Sequence, residues 1–118
     1  MTTKSPCVAR HINHTCLAVR DIKKTIDFYK NVFGIPEPEI EEISDQRVLA
    51  ALLRIGGSQL EFIQPIDPEG GVARFIERKG EGMHHICLEV EDIQGTLDRL
   101  DAEGLELIDK VPREGLSG

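Results

Sequence analysis

Gly80-Glu81-Gly82-Met83-His84-His85-Ile86-Cys87-Leu88-Glu89-Val90-Glu91-Asp92-Ile93 has an earlier counterpart in the chain, His14-Thr15-Cys16-Leu17-Ala18-Val19-Arg20-Asp21-Ile22. A single offset, 85 − 14 = 71 residues, sets His14 on His85, Cys16 on Cys87, Leu17 on Leu88, Val19 on Val90, Asp21 on Asp92 and Ile22 on Ile93. Continued without a gap, it pairs Thr25 with Thr96 and Asp27 with Asp98. One register kept across apolar, hydroxyl, acidic and imidazole side chains marks an internal duplication. Each copy reads as a strand running into a helix, with a histidine at the same point of the strand. The two copies are therefore expected to share a site.

In the first copy, residues 11–19 alternate as a strand: Thr15, Leu17 and Val19 point one way, His14, Cys16 and Ala18 the other. Asp21 then caps a helix on which Ile22, Ile26, Tyr29 and Phe33 recur at helical spacing until Gly34 stops it. Pro36 and Pro38 break the chain, and the acidic segment around Ile40 and Ile43 predicts an edge strand. Val48–Ile55 is almost continuously apolar, Gly56-Gly57 makes a tight turn, and residues 59–63 complete a hairpin. There Leu60 and Phe62 belong to the core beneath the helix. Gln59 and Glu61 then share the opposite face, the one expected to carry His14.

Pro65 and Asp67-Pro68-Glu69-Gly70-Gly71 form a linker, with a short helix marked by Val72, Phe75 and Ile76. In the second copy Ile86, Leu88 and Val90 are expected on the core face and His85, Cys87 and Glu89 on the other, with His84 turned away from His85. Asp92 caps a second helix bearing Ile93, Leu97 and Leu100 and ended by Gly104; residues 105–108 predict a short strand and residues 112–118 a loop. The organisation expected is a first βαβββ module over residues 1–66, a linker with a short helix over 67–82, and a second module over 83–118. The same offset would put the counterpart of Glu61 at 61 + 71 = 132, past the last residue, so the second module is expected to be incomplete, without its last two strands. The fold class is α+β: tandem βαβββ modules forming a curved mixed sheet around a cleft.

At 118 residues, 40% of them hydrophobic, the chain can bury a core as one ordinary domain. A formal net charge of −7 argues against nucleic-acid binding, which needs a basic surface to displace phosphate counterions. Three cysteines, Cys7, Cys16 and Cys87, without a CxxC spacing point to a reducing compartment. With no apolar run long enough to span a bilayer and no charged-then-apolar leader, a cytoplasmic protein with no membrane partner is expected.

The duplicated pattern resembles the vicinal oxygen chelate superfamily, which includes glyoxalase I, extradiol dioxygenases, bleomycin-resistance proteins and methylmalonyl-CoA epimerases. Three passages look most like the epimerases: Asn13-His14 with Leu17-Ala18-Val19-Arg20-Asp21-Ile22 and Phe28-Tyr29-Lys30-Asn31; Leu60-Glu61-Phe62-Ile63-Gln64-Pro65; and Phe75-Ile76-Glu77-Arg78-Lys79-Gly80-Glu81-Gly82-Met83-His84-His85-Ile86. Pro112-Arg113-Glu114-Gly115 looks like the loop before the family's last two strands. The resemblance implies that the cleft holds a metal, with His14, Glu61 and His85 as ligands and Glu61 as a candidate catalytic base. A fourth ligand, a glutamate on the family's final strand, has no position in this chain. Relatives can also carry an acidic residue on the strand where this chain has Ala50.

Two imidazoles and a carboxylate suit a borderline divalent ion, Co²⁺ first, with Mn²⁺, Ni²⁺ or Zn²⁺ as alternatives. The activity implied is epimerisation of (R)- and (S)-methylmalonyl-CoA through an enolate, with an acyl-CoA as the small-molecule partner and a homodimer as the assembly. Two other readings share the architecture: a glyoxalase I-like lyase acting on a hemithioacetal, and a non-enzymatic small-molecule-binding module. His11 is expected at the surface, His84 as a structural group or a support to the site, Cys16 and Cys87 as small packing groups beside the site, and Gln59 and Gln64 in surface roles, as only weak candidates for orienting a ligand or substrate.

Overall fold

Strand β1 (Ala9–Ala18) turns at Asp21 into helix α1 (Ile22–Phe33), and the turn shows why this boundary was legible in the sequence. Asp21 is extended, and its carboxylate accepts from the backbone N–H of Lys24 at 3.1 Å, satisfying one of the donors that a helix start leaves open. At the other end Gly34 adopts φ +67°, a left-handed cap open to glycine without strain. Gln64 adds a tie from the sheet, its Oε1 accepting from the N–H of Ile22 at 2.9 Å. Through this bond Gln64 anchors the start of the helix to the sheet.

The computed structural model describes residues 8–102. After α1 come β2 (Glu41–Ile43), a 3₁₀ turn (Ser44–Gln46), β3 (Val48–Ile55), β4 (Ser58–Pro65), α2 (Gly71–Lys79), β5 (Gly82–Val90) and α3 (Ile93–Ala102). The strands form one mixed sheet in the order β2-β3-β4-β1-β5. Only β1 and β4 run parallel; the other neighbours are antiparallel. The helix end expected at Gly104, the strand over 105–108, the terminal loop and Cys7 lie outside the described residues. Among the described residues no helix is long and apolar enough to cross a membrane.

Apolar packing occupies both faces of the sheet. On one, α1 sets Ile22 and Ile26 against Ala51, Leu53 and Phe62, with Val19 and Ile35. On the other, α2 presses Val72 and Ile76 onto Cys16, Ala18, Val48, Ala50 and Ile63. The sequence reading placed an apolar core only on the face opposite His14. The structure corrects this: one end of that face is a second core, because α2 folds back over it.

Two other expectations are overturned. Phe33 closes the periodic run of α1 but is 63% exposed, its ring set against those of Phe28 and Tyr29 on the same helix. Ile86 and Leu88, expected in the core, are 49% and 54% exposed. Strand β5 is the outer strand of the described sheet, and Ile93 of α3 is itself exposed, so this helix does not seal the face as α1 does.

Candidate metal centre

The middle of β1 decides what the sheet brings together. Cys16 pairs with Glu61 of β4 on one side and with His85 of β5 on the other. His14 lies two residues earlier on β1 and so points to the same face. The β1/β5 ladder is also its own image under the duplication: His14 pairs with Cys87 and Cys16 with His85, and the offset exchanges the two pairs. An antiparallel pair with that property has a local two-fold relation, which places the two histidines on either side of one point.

Nε2 of His14 lies 3.5 Å from Oε1 of Glu61, and the rings of His14 and His85 are 5.8 Å apart, edge to face. One ligand atom from each of His14, Glu61 and His85 falls within 4.8 Å of the other two. His14 and Glu61 are each 8% exposed, whereas His85 opens to the surface. Burying a carboxylate is costly without a compensating charge, and a cation between these groups would provide one. Two nitrogens and an oxygen converging from a largely buried floor suit a divalent ion with room left for another ligand.

The electrostatics fit the same role. Burial pushes the pKa of His85 below its ordinary value, the neighbouring His84 adds to this, and Glu61 pulls the other way. The neutral imidazole, the form that ligates, is thereby favoured. Burial drives the Cys16 thiol far above the thiol range, with the charge of Glu61 and a hydrogen bond to its carboxylate adding to the shift. Cys87 moves the same way, by burial and then by Glu61. Cys16, His84 and His85 form a second group of ligand-capable atoms within 4.8 Å. A buried thiol held protonated is a poor ligand, so the set containing Glu61 is chemically the stronger.

His84 corrects the sequence reading. Simple alternation turns it away from His85, yet its Nδ1 lies 2.8 Å from Nδ1 of His85. The pairing of β5 with β1 skips His84, so a bulge breaks the alternation there. Asn13 occupies the same kind of bulge on β1, and its Oδ1 lies 2.9 Å from Nδ1 of His14. Sequence reasoning turned His84 away from His85, as a structural or supporting group, and gave Asn13 no role of its own, although each immediately precedes a candidate ligand at the common offset. Gln59 reaches this region too: its Nε2 donates to the backbone oxygen of Asn13 at 3.1 Å. His11 stays at the surface, 3.6 Å from Glu89. Ala50 is fully buried in the second core, among apolar neighbours.

Residues 13–118 match the family described as the Glyoxalase/Bleomycin resistance protein/Dioxygenase superfamily. An uncharacterised protein of Bacillus subtilis, YqjC, is 35% identical over 107 residues, covering 91% of this chain and 76% of that protein. The mitochondrial methylmalonyl-CoA epimerase of Dictyostelium discoideum is 31% identical over 108 residues, 91% of this chain; the chain spans 65% of that enzyme's length. A methylmalonyl-CoA epimerase from Streptomyces coelicolor, solved with 2-nitronate-propionyl-CoA, superposes with a TM-score of 0.85 at 27% identity, covering 92% of this chain and 80% of that one. This curved five-stranded α+β arrangement is thus the fold of those enzymes.

Proposed function

This chain belongs to the glyoxalase/bleomycin resistance protein/dioxygenase superfamily, and from that membership we propose that it is a metal-dependent epimerase interconverting (R)- and (S)-methylmalonyl-CoA. The observation that carries the reading is the convergence of His14 and Glu61, both buried, with His85 from the other half of the duplication. The acyl-CoA substrate class draws support from the relatives named methylmalonyl-CoA epimerase and from the acyl-CoA analogue in the Streptomyces enzyme. We also propose a homodimer, the assembly that the family resemblance implies.

The α-proton of an acyl thioester is weakly acidic, and its removal leaves an enolate whose charge must be stabilised. A divalent cation held by His14, Glu61 and His85, Co²⁺ first with Mn²⁺, Ni²⁺ or Zn²⁺ as alternatives, would supply Lewis-acid stabilisation of that charge. The two histidines would contribute nitrogen donors to that cation. Glu61 contributes a carboxylate with two oxygens, so one can serve as a ligand while the other accepts the α-proton. Inversion needs a proton-transfer group on each face of the α-carbon. Among the described residues, Glu61 is the group assigned to one of them. Cys16, kept as a thiol, hydrogen-bonds that carboxylate and orients it without competing for the proton.

The test is exchange of the substrate α-proton in D₂O, with Co²⁺-loaded protein and methylmalonyl-CoA. Exchange by the wild-type protein, reduced about 10²- to 10⁴-fold in Glu61→Ala, is expected for loss of a positioned base. Absence of exchange with cobalt bound contradicts the proposal, and turnover of a hemithioacetal in its place would assign the glyoxalase-type reaction.

A further inference from the structure

Two bulges sit beside the two histidines, and the duplication relates them. In β1 the pairing passes from Ile12 opposite Leu88 to His14 opposite Cys87, leaving Asn13 as the extra residue. In β5 it passes from His85 opposite Cys16 to Met83 opposite Leu17, leaving His84 as the extra residue. The separation, 84 − 13 = 71, is the offset of the repeat itself. A bulge re-aims a side chain that regular alternation would send to the other face. Both extra residues use that freedom alike. Asn13 Oδ1 meets Nδ1 of His14 at 2.9 Å, and Nδ1 of His84 meets Nδ1 of His85 at 2.8 Å.

We infer that Asn13 and His84 are twin positioning residues: each accepts the Nδ1–H of the histidine that follows it, leaving Nε2 as the nitrogen offered to the shared cation. A carboxamide oxygen can only accept, so the proton of His14 sits on Nδ1. Nε2 of His14 is the nitrogen that faces Glu61, at 3.5 Å. With His84 accepting in the same sense, His85 is left with Nε2 as its free lone pair. The positioning residues are themselves held. Gln59 Nε2 donates to the backbone oxygen of Asn13 at 3.1 Å, and the ring of Phe75 on α2 packs edge-on against His84 with centroids 4.8 Å apart. Partners of this kind fix the tautomer and ring orientation of ligand histidines.

The inference rests on the cation site proposed above, and the experiment separates the two. Co²⁺ is titrated into the full chain and followed by its visible absorption; in parallel, ¹⁵N-detected NMR of the metal-free protein assigns the histidine tautomers. Asn13→Ala and His84→Ala are each expected to weaken Co²⁺ binding by about 10- to 100-fold. Asn13→Asp, which keeps the acceptor, and His84→Asn, which installs the acceptor the other half uses, are expected to restore most of it. In the wild-type protein His14 and His85 are expected as Nδ1–H tautomers, and each alanine variant should release its own histidine to a mixture. Alanine variants that bind Co²⁺ as the wild type does, or a wild-type Nε2–H tautomer at either histidine, would overturn the inference. Wild-type protein that takes up no Co²⁺ would instead overturn the cation site, and the tautomers would then decide this inference alone.

Discussion

Glu61 combines two demands that a substitution can separate. As a buried group beside His14 it supplies negative charge and a ligand oxygen; as a base it must accept a proton. Glu61→Gln keeps a carbonyl oxygen for the cation but cannot take the proton. We expect it to bind Co²⁺ within about tenfold of the wild type while losing α-proton exchange, which a paired titration and D₂O assay would show. Equal loss of both would mean that the carboxylate acts only as a ligand. His85 sets the pH dependence. Its folded pKa is lowered from 6.5 by burial first, so the folded chain binds fewer protons there than the unfolded one. The stability linked to this group is therefore complete above about pH 6.5 and is lost as the pH falls through the depressed value. Co²⁺ affinity should stay level from about pH 8 down past 6.5 and fall only once the pH passes through the depressed His85 value, as isothermal titration at successive pH values would record.

Secondary-structure elements were legible where their signals are local. Asp21 and Asp92 each accept the N–H three residues on, from Lys24 at 3.1 Å and Gly95 at 2.9 Å. Each also takes a hydroxyl hydrogen bond on its backbone oxygen, from Thr25 at 2.9 Å and Thr96 at 2.7 Å. A cap is written in four or five consecutive residues, so the repeat displayed both. Asp21→Ala is expected to cost about 1 kcal/mol, measured as a shift in the urea midpoint with an unchanged slope. The alternation that put Glu61 with His14 was equally local, since period two needs no knowledge of the partner strand. What stayed hidden depends on pairing. A bulge exists only relative to a neighbouring strand, so the turning of His84 toward His85 could not be read from β5 alone. The exposure of Ile86 and Leu88 and the second core around Ala50 depend likewise on which helix covers which face.

At the scale of the whole molecule, the duplication does the assembling. Two copies of a strand and helix meet along β1 and β5, and their local two-fold relation brings one imidazole from each to the same point. The α1 face holds that arrangement from behind. Phe62 is fully enclosed there, its ring 5.2 Å from that of Tyr29, one residue along β4 from Glu61. Phe62→Ala should destabilise the fold by about 3–5 kcal/mol, measured by denaturant unfolding, and loosen the register that presents the carboxylate. The most direct test of the shared site is anomalous X-ray scattering at the cobalt edge from crystals of the full chain soaked in Co²⁺. The account predicts one strong peak at about 2.0–2.2 Å from a nitrogen of His14, an oxygen of Glu61 and a nitrogen of His85. A peak on Cys16, His84 and His85 that leaves Glu61 unbound, or no peak between the two halves, would contradict it.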